Sequence, residues 1–114
     1  MSEQLQRQET RQDGKWKEFN KHGVLIAEGT YVHNCKHGLW REYYDCGPLM
    51  IEEYYDHGVQ HGRYTSYHPA GKPLSQGHFQ NGKRHGYFFV YDEQSNLVRR
   101  MRFHDDVLME DIHT

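Results

Sequence analysis

Ten histidines among 114 residues are the first side chains that could do chemistry. Two pairs, His33/His37 and His57/His61, carry the three-residue gap that suits two ligands in one linking loop, and Cys35 lies beside the first pair. His37, His61 and His85 also recur every 24 residues. If 24 residues make two strands, neighbours in such a column stand about 9.5 Å apart at roughly 4.8 Å per strand, whereas zinc holds its donors about 2 Å from one centre. The column cannot share an ion. Turn histidines whose rings hydrogen-bond or stack locally are therefore the expectation, with no metal and no other cofactor.

The remaining reactive patterns also lack a partner. Gly77 followed by Gly82, Lys83 and Arg84 resembles a phosphate-binding loop until Arg84 stands where a hydroxyl should hold Mg²⁺. Such a loop also needs a helix after it, and Asn81-Gly82 reads instead as a turn between strands. Glu52 and Glu53 are adjacent in a predicted strand and so point to opposite faces, which forbids a carboxylate pair. Neither a nucleophile elbow nor a zinc-protease His-Glu-x-x-His motif is present. The expectation is a protein that is not an enzyme.

Composition narrows the class further. The hydrophobic fraction is 35% while aromatics reach 14%, so the apolar surface sits on a few large rings, which suits a thin sheet better than a thick core. Cys35 and Cys46 flank a predicted strand from about Leu39 to Tyr44; some 20 Å of extended chain separates them, too far for a disulfide. Free thiols, no apolar run of membrane-spanning length and no signal-peptide core lead to the expectation of a soluble, cytoplasmic protein.

Net charge is −2, but unevenly spread. Residues 12–60 carry five Lys/Arg and eight Asp/Glu for −3, residues 61–104 carry seven and two for +5, and residues 105–114 carry four acids for −4. A basic end centred on Lys83, Arg84, Arg99, Arg100 and Arg102 is expected. It would steer a charged partner. Nucleic acid is not that partner, given a sequence pI near 6.5 and the acidic end.

The elements that must position these groups follow from a strict repeat. Gly14, Gly38, Gly62 and Gly86 are 24 residues apart; two residues on stand Trp16, Trp40, Tyr64 and Phe88, and five on stand Phe19, Tyr43, Tyr67 and Tyr91. Seventeen residues on stand Tyr31, Tyr55, Phe79 and Phe103. Each unit reads as a β-hairpin with a turn near its ninth position and a longer link, for example His33 to Gly38, before the next leading glycine. Leu25, Ala27, Gly29 and Tyr31 alternate and should share the buried face. Trp16 and Phe19, three apart, belong on opposite faces unless a bulge intervenes, and the residues alone leave both options open.

The pattern His-Gly-x-Trp-x-x-Tyr at His37–Tyr43, followed by Gly47, Leu49, Glu53 and Tyr55, resembles the MORN repeat, in particular the bacterial variant found in proteins described as antitoxins. The likeness covers about residues 13 to 104. It implies an elongated single-layer antiparallel sheet used as an interaction scaffold, with phospholipid binding proposed for some members and no catalytic residues. The last unit departs from the pattern, with Ser95 and Asp106 at glycine positions, and is read as a cap.

The expected architecture is all-β: four 24-residue hairpins (about 12–36, 37–60, 61–84 and 85–104) forming one elongated, twisted antiparallel sheet of about eight strands in meander order. A polar tail or cap, 1–11, precedes it and an acidic tail, 105–114, follows. The expected function is non-catalytic protein binding, as a scaffold or antitoxin-like neutraliser, through a face carrying Tyr43, Tyr67 and Tyr91. Self-association is a further option. Binding of an anionic phospholipid surface by the basic fourth unit is the second reading, and histidine-rich metal binding the third.

Overall fold

The computed structural model describes residues 13–114, so the expected N-terminal tail lies outside the described residues. Among the described residues ten strands follow one another: β1 (Gly14–Phe19), β2 (Leu25–Val32), β3 (Cys35–Tyr43), β4 (Leu49–Asp56), β5 (Val59–Tyr67), β6 (Pro73–Gln80), β7 (Lys83–Arg84), β8 (Gly86–Tyr91), β9 (Leu97–His104) and β10 (Val107–His113). All join one antiparallel sheet in meander order, with the short β7 paired to β6 beside β8. The sheet measures 55 × 32 × 22 Å. No helix among the described residues is long and apolar enough to cross a membrane.

Two kinds of turn alternate along the chain. The links expected to be long are two-residue hairpin loops: Val32 pairs with Cys35, Asp56 with Val59 and Gln80 with Lys83. Both central residues have positive φ, as in His57 (50°) and Gly58 (90°) or Asn81 (53°) and Gly82 (82°), the backbone that matches strand twist in a tight hairpin. At the other turn Asn20 N donates to Val24 O and Gly23 N to Asn20 O, and the arrangement recurs at Tyr44, His68 and Asp92. In the fourth unit Ser95 adopts the left-handed conformation at φ 69°, and Asp92 Oδ1 accepts from the backbone N–H groups of Gln94 and Asn96, both at 2.9 Å. That unit therefore keeps the geometry without the glycine.

The leading glycines are not turn residues. Gly38 sits inside β3 at φ 78°, where the register jumps from Glu28↔Arg41 to Thr30↔His37, leaving three residues of β3 opposite Gly29. Such a bulge needs a residue tolerant of positive φ. The equivalent jump around Gly86 divides one strand into β7 and β8, which accounts for one of the two strands beyond the expected eight. The other is β10, formed by the segment expected to be an acidic tail. It pairs with β9 from Val107↔His104 to His113↔Arg99.

Directly opposed residues share a face, so the pairings trace the core. Trp40, Glu53, Tyr64 and Gly77 form one row across β3 to β6, Phe88 lies over Gly77 and opposes Met101 to carry it to β9, and Trp16 opposes Gly29 at its start. The rings two residues along the second strands fill the gaps: Trp16–Tyr31, Tyr31–Trp40, Tyr64–Phe79, Phe79–Phe88 and Phe88–Phe103 centroids lie 5.1–5.8 Å apart, mostly edge to face. Each such contact adds about 0.5–1.5 kcal/mol to simple burial. Lys36 Nζ closes the row over Trp40 and Tyr55 at 4.8 and 5.0 Å. The core is as thin as composition requires: Trp40, Phe88 and Phe103 are its buried rings. Buried Glu53 is satisfied by Tyr55 Oη at 2.9 Å and Gln60 Nε2 at 2.8 Å.

Candidate interaction face

With the ladder on one face, alternation sends Arg41 and Tyr43 to the other, because the bulge beside Tyr43 falls on the partner strand: Glu42 opposes Ile51 and Tyr43 opposes Leu49. The question of Trp and Tyr three apart is thus answered as opposite faces. There the tyrosines form rungs on the preceding unit. Tyr43 Oη donates to Glu28 Oε2, Tyr67 Oη to Glu52 Oε1 at 3.0 Å and Tyr91 Oη to Gln76 Oε1 at 3.4 Å. Each rung spans fifteen residues of sequence. Phe19, in the same phase, is 55% exposed.

Electrostatics fix Tyr43, Tyr67 and Glu52 in one protonation state near neutral pH. Burial, with the charge and hydrogen bond of Glu28 added, pushes Tyr43 up to about 12, and Tyr67 is raised by burial and by Glu52. The hydrogen bond from Arg41, at 2.8 Å, holds Glu52 below the ordinary carboxylate range. The phenols therefore remain donors and the acid remains ionised. The arrangement ties each unit to the one before it through fixed hydrogen bonds.

Between the rungs lies a shallow groove of about 400 Å³ lined by Glu52, Tyr54, Arg63, Thr65, Tyr67 and Gln76. Further along the same face Tyr87 and Phe89 stack at 6.0 Å, and Arg100 lies over Tyr87 at 5.5 Å. Tyr54 and Tyr87 are exposed. Sequence reasoning named Tyr43, Tyr67 and Tyr91 but not Tyr54, Tyr87, Phe89 or the acceptors Glu28, Glu52 and Gln76. The acceptors recur at the same 24-residue step, a signal that was available.

The basic residues do not form one patch. Arg100 and Arg102 oppose Phe89 and Tyr87 on the tyrosine face, whereas Arg99 opposes Val90 and Arg84 lies 4.3 Å over Phe103 on the ladder face. Most of their charge is matched by the β9–β10 hairpin. Arg99 meets Asp111 at 2.8 Å, Arg84 meets Asp106 at 2.9 Å, and Glu110 stands 3.7 and 3.9 Å from Arg100 and Arg102. Lys83 is exposed on β7. Of the histidines paired in the sequence, His37 meets His57 of the next turn, and His61 Nδ1 accepts from the Asn81 backbone N–H at 3.5 Å.

A single antiparallel layer of 24-residue hairpins with an aromatic ladder on one face is the architecture of a tandem-repeat protein. Residues 12–33 and 60–81 match the family model of the MORN repeat variant, which supports reading the chain as a MORN-repeat protein. No curated protein sequence matches the chain. Among solved structures, the crystal structure of accessory secretory protein 1,2 and 3 in Streptococcus pneumoniae is similar over 85% of this chain and 18% of that one, at 15% identity and a TM-score of 0.48. The chain thus spans under a fifth of that neighbour, and a likeness at this level says nothing of function.

Proposed function

We propose that the chain is a non-catalytic protein-binding module whose contact is the sheet face opposite the aromatic ladder. MORN repeats are commonly protein or membrane interaction modules. The observation that carries this reading is the separation of labour between faces: the ladder rings hold the units together, while Tyr54, Tyr87, Phe89 and Arg100 are left on the other side. Tyr and Arg are the types that dominate binding hot spots. A scaffold and an antitoxin-like neutraliser are two forms of this role. Two free cysteines support a reducing, cytoplasmic setting. Anionic phospholipid is the weaker alternative, because Arg99, Arg100 and Arg102 already face Asp111 and Glu110.

Affinity purification from the source cells at physiological salt tests this, comparing the wild type with Tyr54→Ala/Tyr87→Ala. A protein retained by the wild type and lost from the double variant, with both chains melting alike, is the expected outcome. Equal retention by both would contradict it.

A further inference from the structure

Away from the interaction face, three metal-ligating side chains gather at the β4–β5 turn. His37 on β3, Asp56 at the end of β4 and His57 in the turn each present one donor atom, and all three atoms lie within 4.8 Å of one another. The two imidazoles stand 4.7 Å apart between centroids, inclined by 61°. His57 Nδ1 is 2.7 Å from Asp56 Oδ1, and His37 Nδ1 is 3.9 Å from the same oxygen.

We propose that His37, Asp56 and His57 form a binding site for a borderline divalent transition ion such as Zn²⁺ or Ni²⁺. Two imidazoles and one carboxylate are the donor set such ions prefer, whereas Ca²⁺ and Mg²⁺ seek oxygen alone. In a tetrahedral zinc site with bonds of about 2.1 Å, donors lie about 3.4 Å apart, so atoms up to 4.8 Å apart need to close by at most about 1.4 Å while His57 Nδ1 and Asp56 Oδ1, at 2.7 Å, open slightly. Rotation of exposed side chains supplies that movement. The backbone does not have to move, because Thr30↔His37 and Asp56↔Val59 are fixed by strand register. His37 Nδ1 accepts the His57 backbone N–H at 3.1 Å, which orients the ring toward the turn, and a bound ion would take over that lone pair.

The repeat supplies its own control. In the third unit the equivalent positions are His61, Gln80 and Asn81, a single ligand, although Asn81 keeps the left-handed turn conformation at φ 53°. The fourth unit has His85, His104 and Asp105, but with the turn pair reversed and its rings 5.1 Å apart. Cys35 lies against Gly58 of the β4–β5 turn, outside the three-donor set.

The test is calorimetric titration of the untagged full chain with Zn²⁺ after chelator treatment, comparing wild type, Asp56→Gln/His57→Asn, His37→Ala and His61→Ala. The double variant installs the third unit's turn, which the fold already accommodates. The expected result is zinc binding by the wild type, an affinity loss greater than the roughly 10–100-fold typical of supporting residues for the double variant and His37→Ala, and no change for His61→Ala. Zinc should raise the melting temperature of the wild type and not of the double variant. The proposal is overturned if the wild type does not bind, if the double variant binds as well as wild type, or if His61→Ala loses as much as His37→Ala.

Discussion

The Phe88 ring lies flat over Gly77, so closely that a Cβ built on Gly77 would stand 2.2 Å from the ring's Cε2. Gly29 is in the same relation to Trp40. Neither glycine has positive φ, so what the position demands is the absence of a side chain. In a single-layer sheet this is how a large ring becomes buried: it uses the backbone of the next strand as its floor.

Gly77→Ala must therefore lift Phe88 off that floor, and the ring is held by Phe79 at 5.8 Å and Phe103 at 5.5 Å. The expected cost is about 1–3 kcal/mol, the usual range for overpacking. Urea denaturation of Gly77→Ala and Gly29→Ala measures it; an unchanged midpoint would show that the rings are free to move.

The rung from Tyr43 to Glu28 joins two units across the tyrosine face. Tyr43→Phe should lose about 0.5–1.5 kcal/mol of stability, since the half-buried carboxylate loses a donor. In Glu28→Gln the Tyr43 phenol should titrate below its value of about 12, but not return fully to about 10, because burial is the larger cause of the shift. Urea denaturation checks the first point, and Tyr43 ring NMR shifts followed against pH check the second.

Acid should unfold the protein through a defined set of carboxylates. Glu52, Asp92, Asp106 and Asp111 are all held below their ordinary values, by Arg41, by Asn96, by Arg84 and by Arg99 respectively. A depressed native pKa means the unfolded chain binds more protons, so the stabilisation is present above about pH 4 and is lost as pH falls through the native values. Urea midpoints should be level from pH 7 to 5 and drop between 4 and 2. In Asp111→Asn the drop should be smaller.

Much of this fold was legible in the sequence. The 24-residue step of Gly14, Trp16 and Tyr31 fixes the hairpins, and alternation from Gly29 to Tyr31 correctly chooses the ladder face. What was not legible follows from register. A leading glycine such as Gly38 signals positive φ, but nothing in its type says whether the chain turns or bulges there. Residues 105–114 read as a tail because their charge is acidic, yet Val107, Leu108, Met109 and Ile112 lie among those acids and the segment adds a strand with a bulge at Met109. The Tyr–acid rungs span fifteen residues, a separation that becomes a contact only once the bulges set the pairing.

That added strand predicts a charge switch. Deleting residues 107–114 removes the partners of Arg99, Arg100 and Arg102 and exposes β9 as the sheet edge. The shortened chain should be less stable and should sediment with vesicles of anionic phospholipid at low salt, while the full chain does not. Pelleting of both forms alike would favour the membrane reading.

The division of labour between faces is tested most directly by photo-crosslinking in the source cells, with a photoreactive phenylalanine placed either at Tyr87 on the tyrosine face or at exposed Glu18 on the ladder face. A discrete protein adduct from the Tyr87 position and none from the Glu18 position is predicted. Adducts from Glu18 alone, or from neither position, would contradict the account.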